Sequence, residues 1–110
     1  MNQKLISPYN NKQPDIHATA FVDISARIIG DVKIDMEASV WPMAVLRADG
    51  AEIAIGRRTA VLDLVLVEAP YGFPVLIEED VIISHGAIIH GAVVRSKSLI
   101  GIGAIILDGV

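Results

Sequence analysis

The sequence predicts an all-β chain wound as a parallel β-helix of about five coils, and three observations predict it. Apolar residues recur at every sixth position from Ile16 through Val22, Ile28, Ile34 and Val40 to Leu46. Small or short residues form a second column two places ahead of the first, at Ala20, Ala26, Val32, Ala38 and Ala44. Of the 110 residues 53% are hydrophobic but only 5% aromatic, so the interior must be packed with branched aliphatics. A helix repeats near 3.6 residues and a half-buried strand at 2. A repeat of six is a short strand plus a turn, one side of a three-sided coil of about 18 residues.

Each segment takes its place in that coil. Residues 1–15 are polar and out of phase, and read as an extended N-terminal arm. Residues 16–110 read as a single β-helix domain. The phase holds to Leu46, breaks at residues 48–52, and resumes at Ile55, Val61 and Val67. It breaks again at residues 69–74 and resumes at Ile77, Ile83 and Ile89. Both breaks are expected as loops extruded from the stack, where functional groups commonly sit on a rigid scaffold. Loss of one residue moves the last frame to Val94, Ile100 and Ile106. Thr59, Ala87, Ser98 and Ala104 keep the small column, while Gly30-Asp31, Gly56 and Asp80 suit the turns. The segment Gly101–Ile105 keeps the phase and reads as a corner, not a phosphate loop. Nothing at the C-terminus carries a helical period, so no C-terminal helix is expected.

Composition excludes several classes of function. Nine Lys and Arg against thirteen Asp and Glu give a net charge of −4, which disfavours nucleic acid and anionic membrane surfaces. With no cysteine, disulfides, thiolate metal ligands and thiol chemistry are absent. The polar N-terminus has no apolar signal core, and a cytoplasmic location is expected. His17 should point outward into solvent, and Trp41 and Met43 lie on the outside of the coil.

Beyond the hexads, the motifs VW-x-x-AVLR-x-D, IG-x-RT, HGAIIHG and LIGIGAIILDG carry a resemblance. From about Ile16 to Val110 the chain resembles the γ-class carbonic anhydrases and their close relatives. The hexad is shared with many acyltransferases, whereas histidines five apart in HGAIIHG are more specific. The resemblance implies a left-handed β-helix, a homotrimer, and a metal (zinc, or iron or cobalt) held by three histidines between subunits. Two of these match His85 and His90, the first contributed by one subunit and the second by its neighbour. Neutral imidazole suits a borderline cation, and three such ligands leave a position open for water.

The third ligand departs from the family. Where relatives read RTNIQDGTVLH this chain reads RTAVLDLVLVE, so Glu68 stands at the remaining histidine's place. Glu68 is expected either as a carboxylate ligand or as a solvated surface group. An anionic ligand lowers the effective charge of the metal and acidifies bound water less. The family's water-orienting Asn and Gln correspond to Ala60 and Leu62, which offer no side-chain hydrogen bond. Leu64 replaces a glycine, and Gly50 stands where some members carry a proton-shuttling glutamate. Arg47, Asp49 and Asp63 match, and in relatives the first two pair across the trimer interface.

Ala60, Leu62 and Leu64 are thus expected as an outward apolar row buried in a protein interface. Relatives continue past LDG with further coils and a C-terminal helix, which suggests a truncated, remodelled scaffold, whether by evolution or by engineering. The leading reading is a homotrimeric structural or self-assembly module, catalytically silent, with higher-order contacts through the apolar row and the open last coil. The alternative is a zinc enzyme hydrating carbon dioxide with His85, His90 and Glu68 as ligands. A weaker one is a hexapeptide acyltransferase with a histidine as general base.

Overall fold

A computed structural model of the chain describes residues 4–110; the first three residues of the expected arm lie outside the described residues. Fourteen short strands follow one another: β1 Ile6–Ser7, β2 Asp15–Ile16, β3 Phe21–Val22, β4 Arg27–Ile34, β5 Ser39–Val40, β6 Val45–Ile55 and β7 Ala60–Val61. They continue as β8 Leu66–Glu68, β9 Val75–Ile77, β10 Ile82–Ile83, β11 Ile88–His90, β12 Val93–Val94, β13 Leu99–Ile100 and β14 Ile105–Ile106. No helix occurs among the described residues, and so none is long and apolar enough to cross a membrane.

Every strand pairs in parallel with the strand one coil above or below, which is the topology of a β-helix of about five turns. One side stacks β1, the start of β4, the start of β6, β8, β11 and β14. A second stacks β2, the ends of β4 and β6, β9 and β12, and a third stacks β3, β5, β7, β10 and β13.

The hexad columns are the reason for the winding. Ile28, Val40, Leu46, Val61, Val67, Ile83 and Ile89 are wholly buried, and Ile34, Ile55 and Ile77 nearly so. Toward the two ends Ile16, Val22, Ile100 and Ile106 are only partly covered, because no further coil caps them on one flank. Branched side chains stacked in register fill the tube, and no aromatic is among its buried residues.

The corners follow from backbone conformation. Glu37, Arg58, Asp80 and Lys97 hold positive φ at one stacked corner, and Met43, Leu64, Gly86 and Gly103 at another. Thr59, the one fully buried polar side chain among the described residues, pins the first of these. Its hydroxyl donates to the Glu78 carbonyl at 2.6 Å and accepts from the Val81 N–H at 3.1 Å. On the outside, Arg58 meets Asp80 at 2.8 Å and Glu79 at 3.2 Å, and Arg57 meets Glu79 at 3.1 Å.

The third corner differs from the expectation of a turn at Gly30-Asp31. There β4 runs through the corner unbroken, with Gly30 at φ 83° and its Cα side pressed against the Ala48 carbonyl, where a Cβ would lie only 2.4 Å away. Residues 48–52 likewise remain inside β6, as a bulge in which several residues stand opposite Asp31 between the pairs Gly30–Ala48 and Val32–Ile53. Residues 69–74 leave the ladder at the same corner, one coil on, and Gly50 packs against the backbone of Pro70 and Tyr71. The N-terminal segment is not wholly detached either. Ile6 and Ser7 pair with Ile28 and Ile29, and Arg27 donates to the Leu5 carbonyl at 2.9 Å and the Ser7 hydroxyl at 2.8 Å.

Candidate functional site

Three of the singled-out residues meet on the outer face of the first side, next to the corner that carries both insertions. Parallel pairing aligns Arg47 of β6 with Glu68 of β8, and Glu68 with His90 of β11. Glu68 and His90 close their strands and Arg47 stands at the same register inside β6, so the three side chains stack outward one coil apart. Arg47 Nη2 lies 2.6 Å from Glu68 Oε2, and Arg47 Nε lies 3.4 Å from Asp49 Oδ2. The hydrogen bond that Arg47 donates to the Glu68 carboxylate, reinforced by that group's charge, holds the Arg47 guanidinium above its ordinary pKa. Arg47 and Asp49, read from the resemblance as an inter-subunit pair, therefore meet within one chain.

The other oxygen, Glu68 Oε1, faces His90 Nε2 at 3.7 Å. That gap is too long for a hydrogen bond. It is close to the roughly 3.3–3.5 Å separating two ligand atoms on a tetrahedral zinc with bonds near 2.0–2.2 Å. Behind the ring, His90 Nδ1 is bonded to Asp108 in the next coil. Asp108 is the residue that sequence reasoning missed. Its signal lay in LIGIGAIILDG, where the coil repeat places residue 108 beneath residue 90.

His85 does not join this cluster. It sits in the turn at the far end of the same side, more than half exposed, with Nε2 3.7 Å from Asp63 Oδ1. The two histidines are five positions apart, with the turn at 85–86 and strand β11 between them, a reach of at most roughly 16 Å at 3.3 Å per residue. Among the described residues, no three His, Asp or Glu side chains of one chain converge on a metal position. One chain supplies the pair His90 and Glu68 at one edge and the single His85 at another.

The expected apolar row divides. Ala60 and Leu62 lie half-buried on the outer face of the third side, whereas Leu64 stands at the corner, 62% exposed, with φ 65°. The third side is apolar along its length, since Phe21, Trp41, Ile82 and Leu99 are exposed there and the rings of Phe21 and Trp41 pack at 5.0 Å. A groove of about 480 Å³ lined by Lys33, Ala54, Leu76 and Glu78 lies on the second side, away from both histidines.

The chain is 41% identical over 104 residues to a carbonic anhydrase of Geobacillus kaustophilus, an overlap of 94% of this chain and 57% of that protein. The chain belongs to the γ-carbonic-anhydrase-like hexapeptide-repeat family. It is also 38% identical over 106 residues to the mitochondrial gamma carbonic anhydrase 2 of Arabidopsis thaliana, covering 91% of this chain and 38% of that one. Among solved structures, a hexapeptide transferase family protein from Anaplasma phagocytophilum superposes with a TM-score of 0.63 at 28% identity, covering 96% of this chain and 76% of that one. No protein-family model matches the chain. The chain spans little more than half the length of the Geobacillus relative. The Oε1–Nε2 gap of 3.7 Å, beside the carboxylate-backed ring, has the spacing of two ligand atoms on one borderline divalent cation.

Proposed function

We propose that this chain is the subunit of a homotrimeric β-helix module whose seams hold a divalent metal as a structural clip and do not hydrate carbon dioxide. The observation that carries the reading is the ladder Arg47–Glu68–His90–Asp108, intact on a face whose chain has only Ala60 and Leu62 where polar groups would orient water. Glu68 and His90 of one subunit and His85 of a second would supply the ligands, with zinc the best match and iron or cobalt as alternatives. The bound ion would supply a Lewis acid and a cross-link between subunits.

The residues of the chain itself account for the silence. Arg47 keeps one Glu68 oxygen and leaves the other for the metal, so the carboxylate stays in place. Its negative charge offsets part of the metal's, which weakens the acidity of bound water relative to three neutral imidazoles. The methyl of Ala60 and the isobutyl of Leu62 give hydration chemistry no partner for a bicarbonate oxygen. The same residues, with Phe21, Trp41, Ile82 and Leu99, make the third side an adhesive face for self-association.

Purified protein is expected to sediment as a trimer, to carry up to one zinc per chain, and to hydrate carbon dioxide no faster than buffer. The triple variant Glu68→His, Ala60→Asn, Leu62→Gln should gain hydration activity and bind zinc more tightly. A monomer, or zinc-dependent hydration by the unmodified chain, would overturn the proposal; the latter outcome favours a functioning zinc hydratase.

A further inference from the structure

We infer that Asp108 is a positioning residue: it holds the His90 imidazole as the Nδ1–H tautomer, and so presents Nε2, lone pair outward, toward Glu68 Oε1 and the seam. The inference rests on the metal-clip reading and extends it to a residue outside the ligand set. The argument starts from hydrogen-bond capacity. A carboxylate only accepts, so in the His90–Asp108 pair the ring nitrogen Nδ1 is the donor. A neutral ring with its proton on Nδ1 has its only lone pair on Nε2, the atom that lies 3.7 Å from Glu68 Oε1. The carboxylate behind the ring also stops it rotating.

The backbone is shaped for this contact. Asp108 reaches His90 only because the turn at residues 107–110 lies directly beneath Gly91. Gly109 N–H donates to the Gly91 carbonyl at 2.9 Å, and Val93 N–H donates to the Val110 carbonyl at 2.8 Å. Gly91 N–H in turn donates to the Glu68 carbonyl at 3.0 Å, so the backbones carrying all three side chains are tied together. Gly91 has φ 60°, and a Cβ there would lie 2.8 Å from Asp108 Oδ1 and 2.8 Å from Phe73 Cβ. Any side chain at residue 91 would push the carboxylate off the ring. His85, by contrast, has no hydrogen-bonded carboxylate behind its ring among the described residues, the Asp63 Oδ1 lying 3.7 Å from Nε2.

The test compares the unmodified protein with Asp108→Ala and Asp108→Asn, each checked by circular dichroism for an unchanged β spectrum. Nitrogen-15 spectra of metal-free protein read the tautomer of each histidine, and titration with zinc alone reads affinity. His90 should show a protonated Nδ1 in the unmodified protein and a mixture in Asp108→Ala, with His85 unchanged. Zinc should bind about 10–100-fold more weakly to Asp108→Ala, with a smaller loss for Asp108→Asn, which keeps an acceptor oxygen but not the charge. An unchanged His90 spectrum, or zinc affinity within twofold in both variants, overturns the role of Asp108 and leaves the metal clip standing. Zinc bound by none of the three proteins overturns the clip and this inference together.

Discussion

Replacing Leu64 by glycine separates the stability of the coil from the stability of the assembly. Leu64 occupies a left-handed corner, φ 65°, where its N–H donates to the Pro42 carbonyl at 3.1 Å. Gly86 and Gly103 hold the same corner in the next two coils, both at φ 70°. A left-handed conformation costs a branched residue about 1–2 kcal/mol, and glycine there costs about 0.5–1 kcal/mol in extra chain entropy. The residue is 62% exposed, so burying the remaining third contributes roughly 0.5–1 kcal/mol of a leucine's 1.5–3. These effects nearly cancel, and Leu64→Gly should leave the isolated subunit within about 0.5 kcal/mol of the original.

The seam should respond differently. If the exposed part of Leu64 is covered by a neighbouring subunit, its loss removes roughly 1–2 kcal/mol per chain, or about 3–6 kcal/mol per trimer. That is about a 10²–10⁴-fold fall in the overall association constant. Sedimentation equilibrium over a dilution series reads the assembly, and urea melts at concentrations where the variant is monomeric read the coil. Association unchanged within threefold would show that Leu64 faces solvent and would remove it from the interface. A loss of more than about 2 kcal/mol in the dilute melt would refute the strain argument.

Two further outcomes follow from the corners. Thr59→Val should destabilise the fold by about 2–4 kcal/mol in urea melts, because it strands the Glu78 carbonyl and the Val81 N–H in the interior, whereas Thr59→Ser should recover most of that loss. On acidification, the hydrogen bond from Arg58 holds the Asp80 carboxyl below its usual range, and the Ser96 N–H followed by Arg95 does the same for Glu78. Groups with depressed folded values contribute fully above their unfolded values near about 4, and the contribution disappears as pH falls through the folded values. Urea midpoints should therefore hold steady from pH 7 to about 5 and decline below about 4. Asp80→Asn should flatten the decline, and an identical profile in that variant would exclude the corner ladder as its source.

Most of the coil was legible because its determinants are local and repeated. Ile34, Val40 and Leu46 each face inward for the same reason, and one residue's mistake in phase would expose the whole column. The corner at Gly30 was less legible. A glycine signals conformational freedom, but whether the chain turns there or stays in a strand depends on the Ala48 carbonyl pressing against it from another coil. The strand pairing of Ile6 and Ser7 was hidden in a polar segment too short to show a period.

The candidate site divides along the same line. His85, His90, Glu68 and Arg47 could be named from residue type and motif alone, together with the inward columns that stack them, since both are written into consecutive residues. Contacts across coils had to come from the folded chain: Arg47 on one oxygen of Glu68, His90 facing the other, and Asp108 behind the ring. Those contacts join residues 18 to 22 positions apart, and their directions are set by how neighbouring coils register and by which corners lack a side chain. A linear pattern records what points outward, but the distance between two outward groups exists only once the coils have stacked.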